Sequence, residues 1–107
     1  MPEDAQYRVL ELLKSNPDMT QREIAEALGM TLGKTHYSIK ALIDAGLVRA
    51  ERFAQSEKKL GYLYVLTPSG LAERIKLAAR LLERKRVEYE ALEREIAELE
   101  TKVRNRS

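Results

Sequence analysis

The apolar positions of the chain fall into helical spacing three times before residue 46, change to a strand-like run between residues 47 and 66, and then settle into a heptad that lasts to residue 103. Tyr7, Val9, Leu10 and Leu13 share a helical rather than an alternating period, which predicts a first helix with Asp4 as its N-cap, ending near Ser15. Asn16-Pro17-Asp18 then breaks it.

The second helix carries a full start signal. Thr20 can cap, Glu23 three residues on closes a capping box, and Met19 can staple to Ile24 across it. Ile24, Ala25 and Leu28 form its apolar face, and Gly29 suits the left-handed position that ends it. Only Gly29-Met30 separates it from Thr31, the predicted cap of a third helix that runs to Ala45 and stops at Gly46. Two short helices joined by so tight a turn must cross steeply, which is the helix-turn-helix layout. In the third helix Thr35, Ile39 and Leu42 fall on one stripe, leaving Gly33, Lys34, His36, Tyr37 and Lys40 on or beside the open face.

From Leu47 the texture changes to Leu-Val-Arg-Ala-Glu-Arg-Phe and, after a polar loop from Ala54 to Gly61, to Tyr62–Leu66, whose aromatic and β-branched content favours strands, so two strands are predicted. A hairpin after a helix-turn-helix is a wing. Thr67 can cap the last helix, and Pro68 suits its first position. From Leu71 the seam continues through Ile75, Ala78, Leu82, Lys85, Tyr89, Leu92, Ile96, Leu99 and Val103 in steps of four and three. That is a coiled-coil pattern. A helix of about 37 residues spans roughly 55 Å at 1.5 Å per residue, more than one small domain covers, so its distal stretch needs a partner to hide the seam. The predicted fold is therefore mainly α: a winged helix-turn-helix of three helices plus a β-hairpin over residues 1–67, then a long C-terminal coiled-coil helix over residues 68–107 that makes a homodimer. Leu77, Ala79 and Leu81 widen the apolar face near the helix start, where it is expected to pack on the winged domain as well.

Composition narrows the class further. With 107 residues the chain has room for one compact domain and an appended element, and its 34% charged residues suit long solvated helices. Cysteine is absent, which removes disulfides, thiolate zinc sites and cysteine nucleophiles and fits a reducing cytoplasm. No apolar run approaches a membrane span, and the acidic start Met1-Pro2-Glu3-Asp4 is not signal-like, so a cytoplasmic location is expected. No Gly-rich phosphate loop, metal-ligand spacing or base beside a nucleophile is present, so neither an enzyme, a cofactor nor a metal site is expected.

The net charge of +2 says little, but its distribution says more. Residues 1–30 carry three Lys/Arg against six Asp/Glu, whereas residues 31–59 carry six Lys/Arg against three. The acidic segment thus gives way to a mildly basic one, which includes the third helix, 31–45, and the wing, 53–61. A major groove about 12 Å wide admits one α-helix, so a helix projecting polar and basic side chains suits the reading of double-stranded DNA. Lys34 and Lys40 can reach guanine edges or phosphates, Thr31 and Tyr37 can bond phosphate oxygens, and Leu32 and Gly33 allow close approach of the backbone. Lys58 and Lys59 at the wing add affinity without sequence information. Gln21, at the start of the second helix, joins the predicted DNA-binding set. His36, the lone histidine, is read more simply as a solvated helix-face residue than as a switch. The alternative use of the same layout is a protein-interaction platform joined to a coiled-coil adaptor.

Charge also bears on how two long helices pair. Residues 73–86 hold six Lys/Arg against two Glu, and residues 87–100 hold six Glu against one Arg. An antiparallel pair sets the basic block beside the acidic one and keeps the seam in step, with Leu71 facing Val103 and Leu82 facing Leu92.

The stretches Thr20-Gln21-Arg22-Glu23-Ile24-Ala25 to Leu28-Gly29, Lys34-Thr35 to Leu42, Gly46-Leu47-Val48 and Leu66-Thr67-Pro68-Ser69-Gly70 resemble MarR-type winged-helix regulators. Leu32-Gly33-Lys34-Thr35, Lys40-Ala41-Leu42-Ile43 and Leu60-Gly61-Tyr62 are similar to the short members associated with exopolysaccharide gene clusters. The resemblance implies sequence-specific DNA binding as a homodimer, with Lys34, His36, Tyr37 and Lys40 in the groove and Lys58 and Lys59 on the wing. Two features depart from the family pattern. Lys58-Lys59-Leu60 stands where an acidic-then-arginine wing motif is usual, and no extra N-terminal dimerisation helix is expected before the first helix. No small-molecule effector is assigned.

Overall fold

The computed structural model describes residues 3–55 and 59–105, and the side chains among them outside residues 53–60. The element order is α1 (Glu3–Ser15), α2 (Gln21–Leu28), α3 (Leu32–Asp44), β1 (Val48–Gln55), β2 (Lys59–Leu66) and α4 (Pro68–Asn105). α1 opens at Glu3, two residues before the start its sequence suggested. Asp4 stands inside the first turn beside Glu3 rather than capping it, where both carboxylates face the positive end of the helix dipole.

The next two helices begin and end where local chemistry requires. Thr20 Oγ1 accepts from the Glu23 N–H at 3.1 Å, and Glu23 Oε1 accepts from the Thr20 N–H at 2.9 Å, a complete capping box. Gly29 closes α2 at φ +66°, and the Met30 N–H reaches back to the Ala25 carbonyl at 2.9 Å. A left-handed residue followed by that back-bond terminates a helix without leaving its last carbonyls empty. α3 repeats the scheme. Thr31 Oγ1 accepts from the Lys34 N–H at 3.1 Å, and Gly46, at φ +76°, passes the chain into β1.

Burial of one stripe from each helix makes the core. Val9, Leu10 and Leu13 of α1, Ile24 of α2, Ile39 and Leu42 of α3, Val48 of β1, Tyr64 of β2 and Leu77 of α4 form a single cluster. Each aliphatic side chain fully buried in this way contributes about 1.5–3 kcal/mol, so the helices hold together through the cluster rather than through propensity. Met19 packs against it from outside, as its position before the capping box predicts.

β1 and β2 pair antiparallel from Val48 opposite Leu66 to Gln55 opposite Lys59. The strands therefore reach further into the wing than composition indicated. Lys59, Leu60 and Gly61, expected in the loop, belong to the ladder, because an antiparallel partner supplies hydrogen bonds that a single strand's composition does not reveal. The Tyr64 N–H donates to the Pro17 carbonyl at 2.9 Å and fastens β2 to the turn after α1.

The passage from hairpin to α4 is tightly built. Thr67 donates its hydroxyl to the Gly46 carbonyl at 2.7 Å and accepts from the Gly70 N–H at 3.0 Å, while its own N–H bonds the Leu47 carbonyl at 3.1 Å. A Cβ at Gly70 would run into the Leu47 carbonyl oxygen, so only glycine fits this crossing.

The chain divides into two compact units, Met1–Leu77 and Ala78–Ser107. Within the first, Leu77 is 2% exposed, and Arg74 Nη1 donates to Glu11 Oε2 at 2.6 Å, tying the opening turns of α4 to α1. Within the second, Leu82, Val87, Tyr89, Leu92, Ile96, Leu99 and Val103 are each at least 48% exposed. Of the other two residues expected to widen the apolar face, Leu81 is half-buried and Ala79 exposed.

Candidate nucleic-acid interface

α3 is held from one side and open on the other. Thr35, Ser38, Ile39 and Leu42 are buried, with Thr35 Oγ1 donating to the Thr31 carbonyl at 2.9 Å. Leu32, Gly33, Lys34, His36, Tyr37 and Lys40 are all exposed, Tyr37 by 69%. This division follows from the helical period and is the one the sequence predicts. Gly33 has open space around it, so a duplex can approach the backbone there. Lys40 Nζ lies 3.3 Å from Asp44 across one turn, an exposed pair worth little in water and easily given up to a phosphate. Thr31 is exposed, with its hydroxyl oxygen engaged as the cap.

Gln21 is half-buried and links three elements. Its Nε2 donates to the Tyr64 hydroxyl at 3.0 Å, and its Oε1 faces His36 Nδ1 at 3.2 Å. With the amide so oriented, Oε1 can only accept, so the hydrogen of this bond sits on His36 Nδ1. The start of α2, the exposed face of α3 and strand β2 are thereby fixed to one another. Tyr62 stacks on Tyr64 with ring centroids 6.3 Å apart and planes 17° from parallel. The two rings, Ala50 of β1, and His36 and Lys40 of α3 border a depression of about 280 Å³ between wing and helix.

Sequence reasoning had placed Gln21 and His36 on the interface singly. Their bond to each other and to Tyr64 was not visible in the sequence, because 43 residues separate Gln21 from Tyr64. Arg22 lies outside the set the sequence predicts. It is exposed and borders an open depression with Gln21, Leu32, Gly33 and His36; the signal for it was a cation one position inside a capped helix. On the other flank of α3, Arg8 of α1 lines a mostly apolar groove of about 470 Å³ with Leu28, Met30, Lys34 and Tyr37. On the wing, Lys59 pairs opposite Gln55 in the ladder, and Lys58 lies outside the described residues.

The predicted seam residues all lie on α4. Leu71 and Ile75 are 39% and 61% exposed, Ala78 is half-buried, and those from Leu82 onward are open. Among the described residues no group of three His, Asp or Glu is placed to hold a metal ion, and no helix is long and apolar enough to cross a membrane.

Residues 3–49, the three helices and the entry to β1, match the sequence family described as winged helix-turn-helix DNA-binding. The fold is a winged helix-turn-helix. Solved structures share it over most of the chain. The PcaV transcriptional regulator from Streptomyces coelicolor, in complex with its natural ligand, superposes with a TM-score of 0.64 at 23% identity, covering 88% of this chain and 73% of PcaV. A MarR/EmrR family transcriptional regulator from Acinetobacter sp. ADP1 gives 0.64 at 23% identity, over 95% of this chain and 73% of its own. Bacillus subtilis PadR in complex with operator DNA gives 0.58 at 23% identity over 68% of this chain, which spans 45% of PadR. No curated protein sequence matches this chain. The matched family and these neighbours are DNA-binding and regulatory proteins rather than enzymes.

Proposed function

We propose that this winged helix is a MarR-type transcriptional regulator, of the short exopolysaccharide-associated kind, that binds a specific sequence of double-stranded DNA as a cytoplasmic homodimer. α3 enters the major groove, and the wing lies along the flanking backbone or minor groove. The observation that carries this reading is the outer face of α3. Lys34, Tyr37 and Lys40 stand exposed on a helix whose opposite face is locked into the core by Thr35, Ile39 and Leu42. The PadR neighbour is bound to operator DNA, and the sequence of this chain resembles MarR-type regulators at the turn, at α3 and at the strand-to-helix junction.

A groove-reading surface of this kind divides labour. Lys34 and Lys40 offer point charges to guanine edges or phosphates, Gly33 and Leu32 let the backbone and an apolar side chain come against the bases, and Tyr37 offers a hydroxyl to the backbone. Gln21 acts through position as much as contact, since it holds His36 and Tyr64 in place. Selection of bound duplexes from a random pool, repeated at low and high salt, tests the reading. An enriched inverted repeat whose affinity falls steeply with salt is expected, because each phosphate contact releases counterions. Absence of enrichment, together with salt-independent capture of another protein, would establish the protein-interaction reading in its place.

A further inference from the structure

Resting on the homodimer reading, we infer that the exposed seam of α4 receives a second copy of this chain antiparallel, with Lys85 of each copy against Tyr89 of the other. Three observations converge on that arrangement. Leu82, Tyr89, Leu92, Ile96, Leu99 and Val103 leave their apolar surface in water along one stripe of the second unit. Water disfavours a continuous apolar stripe of this length, so it calls for an occupant. That occupant must match the stripe in period and carry the opposite order of charge, since residues 73–86 are basic and residues 87–100 acidic. A second copy running in the reverse direction does both.

The register is set by the only charged residue on the seam. Lys85 interrupts a run otherwise made of apolar and aromatic side chains. In a parallel, in-register pair Lys85 would stack on Lys85 of the second copy and basic block on basic block, which like charges oppose. In the antiparallel pair centred on Val87, Ala78 faces Ile96 and Leu82 faces Leu92, and the ammonium of Lys85 meets the ring and hydroxyl of Tyr89, a favourable cation–aromatic contact. Sliding the pair by one heptad puts Lys85 against Ile96 or Leu82 and leaves one end of each seam uncovered. Beside the seam, Arg86 comes next to Glu93 of the second copy on both sides of the axis. Lys85 Nζ already lies 3.4 Å from Glu88 of its own chain, so its charge is balanced while its stem covers the seam.

The chain has no cysteine, so introduced cysteines report the pairing directly. Leu82→Cys and Leu92→Cys chains are prepared separately, oxidised alone, and oxidised again after mixing and subunit exchange. Disulfide-linked dimers are expected only in the mixture, because position 82 faces position 92 and neither faces itself. Crosslinking of each variant alone would overturn the antiparallel pairing in favour of a parallel one. Ala78→Cys mixed with Ile96→Cys repeats the test at the next layer. A failure of both mixtures to crosslink, with the variants folded by circular dichroism and sedimenting as dimers, would overturn this register. The intact chain sedimenting as a monomer would remove the homodimer itself, a separate outcome.

Discussion

Two glycines show how differently the same residue can be used. Gly33 stands on the open side of α3 with nothing around it, whereas Gly70 sits against the Leu47 carbonyl where the hairpin hands over to α4. Gly33→Ala therefore raises the melting temperature, since alanine is favoured over glycine inside a helix by up to about 1 kcal/mol. At the same time it weakens operator binding if backbone and duplex meet there. Gly70→Ala does the reverse of the first effect: the added methyl forces the junction apart at a cost of about 1–3 kcal/mol. Thermal denaturation of both variants, with operator titrations of Gly33→Ala, checks the contrast. Lys34 and Lys40 make a second residue-level case. On the proposed function, replacing both by Ala is expected to abolish specific binding and to leave the melting temperature within about a degree, since the Lys40–Asp44 pair is exposed on both sides. If the double variant melts early, α3 is rotated from the orientation described.

Helices were legible in the sequence for a local reason. Thr20, Glu23, Gly29 and Thr31 hydrogen-bond within a few residues of themselves, and a helical period shows its buried face in a short window. Strands and cross-links between elements were not legible to the same degree. How far the hairpin extends depends on the partner strand, and the contacts that fix β2 to α2 and α1 to α4 join residues distant in sequence. The open face of α3 was readable from period alone, but the Gln21–His36–Tyr64 cluster that stiffens its flank was not. The α1–α4 tie yields a prediction at this scale. Arg74 is mostly buried, with its Nε left without a partner, so Glu11→Ala strands the guanidinium and lowers stability by about 1–2 kcal/mol. Arg74→Met, which fills the same space without a charge, costs less. Urea unfolding of the two single variants measures the difference; equal losses would show that packing rather than the ion pair sets the energy.

For the molecule as a whole, the apolar stripe of α4 is the feature with the widest reach. Leu92→Lys combined with Ile96→Lys puts two charges on that stripe, where Leu92 and Ile96 are 53% and 48% exposed in the single chain. The folded winged unit is expected to survive, while sedimentation shifts to the monomer and operator affinity falls as the second contact is lost. A variant that remained dimeric would show that the copies meet elsewhere. In the homodimer proposed above, pairing through the exposed stripe would make DNA occupancy depend on the protein's own abundance. While monomers predominate, about a twofold rise in chain concentration gives about a fourfold rise in paired species, by mass action. Chain concentration would then act on duplex occupancy with a steepness that no single DNA contact supplies, and dilution by growth would empty the site more abruptly than it removes the protein.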